Sequence, residues 1–207
     1  MTYSAVSAKI RAMQGRFLTD TDFSQLAFSD SVSAAVETLK SRPSYSCAFE
    51  AAGDGELDRS RIEQLLWLSL YRDYSSLYRF AAVSQRKFLD LYFRHYEVEV
   101  IKKLLRHMLG GQEGQPDLSM FQEFFEKHSS LNLEALCKAR NFSEFTEALE
   151  GTVYGELLTQ MQEKGQTGLF DCELRLDLFY FQSLWKLRGR ILGKEERKIL
   201  DTCFGSR

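Results

Sequence analysis

The chain has 207 residues, of which 44% are apolar and 27% are charged. This is an ordinary globular composition, and it excludes a disordered chain. Lys and Arg total 27 and Asp and Glu total 29, so the formal net charge is -2. Because nucleic-acid binders usually carry a basic excess that attracts phosphate, we expect no nucleic-acid partner.

The sequence shows neither a membrane-spanning segment nor a signal peptide. The longest apolar runs are a few residues, far short of the 18 or so that a bilayer span needs. The segment 1–17 lacks the continuous apolar stretch of a signal peptide. We therefore expect a cytosolic protein, and reduced thiols at Cys47, Cys137, Cys172 and Cys203, which form no CxxC pair. Their even number leaves disulfides arithmetically possible.

The predicted loops coincide with the breaks in composition. The two prolines lie in the first two of them, at 41–56 and 110–117, and a third loop is predicted at 164–168. Between the loops the apolar residues recur with a helical period, and no segment alternates as a strand does. We predict helices at 4–17, 31–40, 59–80, 84–109, 141–150 and 173–192. The predicted fold class is all-α.

The longest predicted helix, 84–109, carries a wide apolar stripe. The stripe contains Leu89, Phe93, Tyr96, Val98, Val100, Ile101, Leu104, Leu105 and Met108. The opposite face is polar and contains Arg94, Glu97, Glu99, Lys102, Lys103 and Arg106. Glu99 precedes Lys103 by four residues, which is the favourable order for an ion pair on a helix.

Two shorter helices begin with residues that can accept hydrogen bonds from free backbone amides. Asp30 or Ser31 can cap the helix that ends at residue 40. Asn141 and Glu144 resemble a capping box, with Asn in the usual Ser or Thr position.

The two halves of the chain resemble each other when the sequence is shifted by 110 residues, so that residue 23 aligns with residue 133. The segment 23–39 then lies over 133–149, with four identities in 17 positions, at Leu26, Ser33, Glu37 and Leu39. A second similarity joins LDLYF at 89–93 with LDLFYF at 176–181. Chance similarity of two amphipathic helix pairs is the alternative explanation.

The predicted unit consists of a short helix, a capped polar turn, a short helix, a loop with Tyr45 or Tyr154, and long amphipathic helices. We predict a first unit at 1–112 and an incomplete second unit at 113–207. Each unit of such a repeat buries its apolar face partly against itself and partly against its neighbour.

Catalytic and metal-binding patterns are not evident. His95 and His107 are 12 residues apart on one predicted helix, or about 18 Å, which is too far to share a metal ion. His95 is expected to be a partly buried helix residue, and the sequence has no HExxH motif or cysteine cluster with zinc spacing. We therefore expect no catalytic residue, no cofactor and no metal; a helical enzyme is the least favoured alternative.

Other polar groups have structural explanations. Gly110, Gly111 and Gly114 lack the Lys-Ser/Thr and the preceding strand of a phosphate-binding loop, so a linker is expected. Helix capping explains Asp20, Asp22 and Asp30, which lie in a polar turn.

One basic cluster could contact an acidic partner or acidic lipid headgroups, although a solvated helix end is the simpler interpretation. It contains Lys186, Arg188, Arg190, Lys194, Arg197 and Lys198.

The segment 1–39 resembles the opening of the C subunit of V-type and archaeal-type ATPases and ATP synthases, the eukaryotic d-subunit family. The features that carry the resemblance are Tyr3, Arg11, Met13, Leu18 with Thr19, Leu26 with Ala27, and the helix that ends at Leu39. A second similar segment spans 96–111, where Glu97, Lys102, Arg106 and Gly110 fit the family pattern. Val100 departs from it, because relatives commonly have Asn there. The resemblance covers essentially the whole chain.

The resemblance implies a non-catalytic rotor part that binds no nucleotide. Family members have three similar helical units around a pseudo-threefold axis, forming a funnel. The funnel rests on the membrane rotor ring and receives the central shaft, so the protein is peripheral to the membrane and cytoplasmic. The expected partners are the shaft subunits and the ring, in a complex that moves protons or sodium ions. A generic α-helical repeat adaptor is the alternative.

The length of the chain departs from the family pattern. Family members are usually much longer and have three units, whereas this chain has about two. We expect the surface that a third unit would cover to be apolar and to favour self-association.

Overall fold

A computed structural model of the chain describes residues 4–50, 57–111, 114, 116–190, 198 and 202. These residues form eleven α-helices and one short 3-10 turn, with no strand among them. The predicted all-α class is confirmed. The chain divides into two compact units, residues 1–86 and 87–207. The repeat boundary near residue 112 is based on sequence similarity and stays a prediction.

The first unit contains α1 (Ser4–Gln14), α2 (Asp20–Ala27), α3 (Val32–Lys40), α4 (Ser46–Glu50) and α5 (Arg59–Phe80). Helix α5 packs against α1 and α4, and α3 packs against α4. The side chains of Thr19, Ser31 and Asp58 cap α2, α3 and α5 respectively. The core consists of aliphatic and aromatic residues, including Met13, Val36, Leu39, Ala48, Phe49, Leu65, Tyr71 and Tyr74.

The second unit is built on α6 (Val83–Leu109), whose first four residues belong to the first unit. After a 3-10 turn (Ser119–Phe121) follow α7 (Gln122–His128), α8 (Leu133–Lys138), α9 (Phe142–Ala148), α10 (Val153–Glu163) and α11 (Leu169–Arg190). Helix α10 packs against both α9 and α11. Phe93, Ile101 and Leu105 of α6 are almost fully buried, as are Phe125, Phe145, Leu158 and Leu176.

Most predicted helices are confirmed, with small differences at their ends. The predicted helix 59–80 matches α5, and the predicted helix 84–109 matches α6. Helix α1 ends three residues earlier than predicted. Helix α11 begins four residues earlier than predicted, at Leu169. The loop at 164–168 is confirmed. Parts of the loops at 41–56 and 110–117, and the end of the last predicted helix, lie outside the described residues.

Two predicted loops contain helices instead. Within 41–56 the chain forms α4, because burial of Ala48 and Phe49 outweighs the turn-forming composition around them. Tyr154, predicted in a loop, lies in the first turn of α10, where the Thr152 side chain accepts a hydrogen bond from the Gly155 amide. The start of this helix lies against the end of α9: a Cβ at Gly155 would lie 2.3 Å from the Leu149 carbonyl oxygen.

The helix boundaries recur with the shift that the sequence suggests. Helix α5 begins at residue 59 and α11 begins at residue 169, so a shift of 110 takes the start of α5 to the start of α11. The same shift takes the start of α3, residue 32, to the start of α9, residue 142. The capping residues Ser31 and Asn141 also correspond. These bounds are consistent with a repeated unit.

Candidate interaction surfaces

The residues that could carry chemistry are dispersed. His95 is half-buried and lies 5.4 Å from the Tyr180 ring, in line with the predicted helix-packing role. The Nε2 atom of His107 lies 2.8 Å from the Gly114 carbonyl oxygen. His128 packs against the rings of Phe93 and Phe124. No group of three or more His, Cys, Asp or Glu side chains among the described residues has the geometry of a metal site.

The cysteines that the structure describes are free thiols. Cys47 is exposed, Cys137 is half-buried and Cys172 is buried. Burial raises the pKa of Cys137 and of Cys172 to about 11 in each case. Because a nucleophilic cysteine needs a lowered pKa, neither of these two thiols is activated. Cys203 lies outside the described residues.

A buried carboxylate on α6 ties that helix to two other parts of the second unit. Glu97 is 8% exposed, and its Oε2 atom accepts a hydrogen bond of 2.7 Å from the Tyr154 hydroxyl on α10. Its Oε1 atom accepts a hydrogen bond from the Ser129 hydroxyl, which follows α7. Burial, and then the negative charge of Glu97, raise the pKa of Tyr154, so its hydroxyl stays protonated and donates. The three groups therefore fix α6 relative to α7 and α10.

A second polar cluster joins α6 to α11. Lys102 Nζ lies 2.9 Å from Glu99 Oε1 and 3.0 Å from Asp177 Oδ1. One turn further along, Arg106 Nε lies 2.5 Å from Glu173 Oε1. Burial alone would lower the pKa of Lys102. Its hydrogen bonds to Glu99 and Asp177 stabilise the charged form more strongly, so the pKa is raised.

These contacts correct the prediction that the polar face of α6 lies opposite the core. Glu97 and Lys102 are each 8% exposed. They can be buried because partners on α10 and α11 satisfy their charges. The expected Glu99–Lys103 pair is replaced by the Glu99–Lys102 pair, since Asp177 draws the Lys102 ammonium to the same side.

The predicted capping role of the acidic turn is confirmed for Asp22. The Thr19 amide donates to Asp22 and the Thr19 side chain accepts from the Asp22 amide, which forms a capping box. Asp22 also forms an ion pair with Arg42. Hydrogen bonds from the Thr19 backbone amide and then from the Thr19 hydroxyl lower the pKa of Asp22, and the charge of Arg42 lowers it further. Burial acts in the opposite direction but is outweighed. Asp20 occupies the first turn of α2, and Ser31 rather than Asp30 caps α3.

The outer face of α11 carries a stripe of large apolar side chains that are exposed. We name these residues the α11 stripe: Phe170, Leu174, Leu178, Phe181 and Trp185. Their spacings of four, four, three and four residues place them on one side of the helix. Phe170 is 74% exposed and Trp185 is 61% exposed. The opposite face of α11, with Cys172, Leu176, Tyr180 and Leu184, is buried.

A groove runs along one side of the α11 stripe. It has a volume of about 280 Å³ and lies between α10 and α11. Leu157 and Met161 of α10 line it together with Leu174 and Leu178 of the stripe. The charged groups of Lys164, Asp171 and Arg175 surround it. On the other side of the stripe, Glu173 and Asp177 of α11 form ion pairs with Arg106 and Lys102 of α6.

The first unit also has exposed apolar residues. A shallow groove on α5 is lined by Glu63, Leu66, Trp67 and Leu70. Phe28 is 87% exposed at the end of α2. The apolar row on α5 is shorter and less exposed than the α11 stripe, and Phe28 lies at the end of another helix.

Sequence reasoning identified α11 as amphipathic but missed its second apolar face. The signal was present, because Phe170, Leu174, Leu178, Phe181 and Trp185 follow a helical period of their own. Of the predicted basic cluster, Lys186 and Lys198 are exposed. Lys194 and Arg197 lie outside the described residues, and of Arg188 and Arg190 the structure describes the backbone alone.

Within the described part of the chain, no helix combines the length and the apolarity that crossing a bilayer requires.

Comparison with known proteins shows similarity over nearly the whole chain. Residues 6–207 match a family described as ATP synthase (C/AC39) subunit. No solved structure gives a significant match.

The similar curated proteins are all described as the C subunit of A-type ATP synthase. The protein from Methanocaldococcus jannaschii is 26% identical over 202 residues, which cover 94% of this chain and 48% of that protein. The protein from Pyrococcus horikoshii is 27% identical, over 94% of this chain and 50% of that protein. The protein from Methanothermobacter thermautotrophicus is 25% identical, over 97% of this chain and 50% of that protein. The chain thus spans about half the length of these relatives.

Proposed function

The chain belongs to the ATP synthase (C/AC39) subunit family, and from that membership we propose that it is a non-catalytic central-stalk subunit of an A-type or V-type rotary ATPase. In this role it links the soluble rotor shaft to the membrane rotor ring and is cytoplasmic and peripheral to the membrane. The observation that carries the proposal is the family match over residues 6–207.

The work of such a protein is mechanical, because torque passes from one partner to the other through its body. Helix α6 supports this role. Its 27 residues span about 40 Å, and buried contacts from Glu97 and Lys102 hold it to α10 and α11. Removing one partner from such a buried contact leaves an unsatisfied charge, so these contacts resist sliding of one helix over another.

The proposed role needs no chemical step in this chain. The buried polar side chains of α6 form hydrogen bonds within the fold: Lys102 donates to Glu99, and Glu97 accepts from Ser129 and Tyr154. The described cysteines with shifted pKa values are less reactive than an ordinary thiol. We propose that ATP hydrolysis or synthesis takes place elsewhere in the complex and that this chain binds no nucleotide, cofactor or metal ion.

We further propose that the helical units lie around a pseudo-threefold axis and form part of a funnel. The shaft would enter its wide end and the ring would lie beneath it. The recurrence of helix starts under one constant shift supports similar units.

The proposal can be tested by reconstitution. Membrane vesicles that contain a rotary ATPase stripped of its own C/AC39 component are mixed with the 207-residue chain, and two quantities are measured: retention of the chain on the vesicles and ATP-driven ion uptake. We expect the chain to bind and to increase ion uptake per ATP hydrolysed.

The control is an unrelated helical repeat protein of similar size and net charge. A chain that binds neither purified shaft subunits nor the ring, and leaves uptake unchanged, would refute the rotor role and favour the adaptor alternative. The same mixture without the other ATPase subunits should hydrolyse no ATP.

A further inference from the structure

We propose that two copies of this chain associate through their α11 helices, which pair antiparallel with the two α11 stripes in contact. This dimer does not depend on the rotor role. It follows from the size of the stripe, from its charges and from the positions of its residues along the helix.

The α11 stripe is large enough for a specific contact. A fully exposed large apolar side chain presents about 200 Å², so the exposed fractions of the five residues amount to on the order of 500 Å² per copy. Two copies would bury about 1,000 Å² in total, which is at the lower end of specific interfaces. We therefore expect a reversible dimer with a micromolar dissociation constant.

The order of residues in the stripe fits an antiparallel pair of identical helices. With Leu178 near the twofold axis, Phe170 of one copy lies opposite Trp185 of the other. Leu174 lies opposite Phe181 in the same register. Aromatic residues at both ends and leucines near the centre make the stripe complementary to itself, as a twofold contact requires.

The charges beside the stripe favour the same arrangement. Asp171 and Lys186 lie on the side of the stripe that faces the groove, and both are exposed. Neither forms an ion pair in the described part of the chain. Because residues on the same side of two antiparallel helices face each other, Asp171 of each copy would meet Lys186 of the other. A parallel twofold pair would instead put the groove sides of the two copies on opposite sides of the contact, so Asp171 and Lys186 would lose this pairing.

The distribution of charge along α11 extends this complementarity. Asp171 lies in its first turn, whereas Arg106 and Lys102 of α6 already balance Glu173 and Asp177. The basic residues Lys186, Arg188 and Arg190 lie near its end. Antiparallel pairing brings Asp171 of each helix beside the basic end of the other. It also places opposite ends of the two helix dipoles side by side.

The first test measures the mass of the 207-residue chain by sedimentation between about 1 and about 100 µM. We expect a concentration-dependent dimer. Leu178→Glu should raise the dissociation constant at least tenfold, because it places two carboxylates at the axis. Phe28→Glu, at an exposed apolar residue of the first unit, should leave it unchanged. A chain that stays monomeric at the highest concentration, or a dimer that both variants affect equally, would overturn the proposal.

The second test examines the charges. Asp171→Lys and Lys186→Asp should each weaken the dimer several-fold, and the double variant should restore it, because the opposed charges are then reversed together. This rescue separates a specific contact from non-specific aggregation of apolar residues. If the double variant is weaker than either single variant, the proposed register is wrong.

The third test measures the register directly, in a chain where Cys47 and Cys203 are replaced by Ser. Leu178→Cys should form a disulfide between copies on mild oxidation, since the two residues meet at the axis. Phe181→Cys should not, because the helix rise separates the two copies of residue 181 by about 10 Å along the axis. Cross-linking at both positions or at neither would overturn the antiparallel pairing.

Discussion

At the scale of single residues, the second unit depends on polar groups that are buried and paired. Glu97, with the hydroxyls of Tyr154 and Ser129, shows why a charged residue can occupy a core position: each of its oxygens accepts a hydrogen bond. A carboxylate in such a position costs free energy when a partner is removed, because it then remains desolvated without compensation.

Tyr154→Phe tests this contact. The change removes the hydroxyl that donates to Glu97 and keeps the ring that packs against Phe179. We expect the free energy of unfolding to fall by about 1–3 kcal/mol, measured by urea denaturation. Tyr92→Phe is the matched control, because Tyr92 is exposed on the same helix as Glu97 and should change stability little. Equal effects of the two substitutions would show that the buried hydrogen bond contributes nothing.

His128 makes stability depend on pH. Burial lowers its pKa below the ordinary value of 6.5, Lys127 lowers it further, and Asp90 opposes them. The unfolded chain therefore binds a proton at this residue more readily than the folded chain. The contribution of His128 to stability is fully present above about pH 6.5, and it is lost as the pH falls below that value through the lower pKa of the folded chain.

We expect the urea midpoint of the chain to fall between pH 7.5 and pH 5.5, and the fall to be smaller in His128→Phe, which keeps an aromatic ring against Phe93 and Phe124. His107→Gln should retain the fall, since His128 is still present. A midpoint that falls equally in the chain and in His128→Phe would assign the pH dependence to other groups.

At the scale of helices, hydrophobic period and capping residues located six of the eleven described α-helices. The period located α5 and α6, and the cap signals at Ser31 and Asn141 located α3 and α9. Short helices were harder. Helix α4 has only five residues, and α10 begins with Val153 and Tyr154 and contains Gly155, none of which favours a helix. Both helices form because tertiary packing outweighs local preference.

The burial of the polar contacts and the exposure of the α11 stripe could not be predicted from the residue pattern of one helix, because both depend on how the helices pack. Glu97 and Lys102 look solvent-exposed on a helical wheel, and their burial depends on partners 57 and 75 residues away. The second apolar face of α11 was visible as a period, but its exposure depends on which face the α6 and α10 helices cover.

The paired caps provide a test at this scale. Ser31→Ala and Asn141→Ala each remove a side chain that accepts from the amide three residues later. We expect each to cost about 1 kcal/mol of unfolding free energy. Asn141→Ala should cost more, because Asn141 also donates to Glu144, whose carboxylate accepts from the Arg140 amide.

Ser33→Ala and Ser143→Ala are the matched controls for the caps. Both serines lie inside the capped helices, are exposed, and correspond to each other under the shift that relates α3 to α9. Alanine is a better helix former than serine, so these controls should be neutral or slightly stabilising. Controls that destabilise as much as the cap variants would mean that the side-chain caps are not what stabilises α3 and α9.

At the scale of the whole molecule, the helix bounds favour one of the two sequence similarities over the other. The shift of 110 pairs α5 with α11, whereas the similarity between 89–93 and 176–181 pairs α6 with α11. A segment after α11 resembles the start of α6 more closely than residues 176–181 do. RKFLDLYF at 86–93 and RKILDTCF at 197–204 share five of eight residues under a shift of 111. The segment after α11 thus repeats the segment after α5, as a continuing series of units requires.

The rotor role and the adaptor alternative predict different relations between these units. In an experimental structure, we superpose α8, α9, α10 and α11 on α2, α3, α4 and α5 and measure the rotation that relates the two groups. A funnel with a pseudo-threefold axis requires a rotation of about 120°, because three units must then close a circle. A solenoid requires a small rotation with a translation along the stack, since each unit then contacts only its neighbours. A small rotation, or helices that do not superpose, would contradict the funnel.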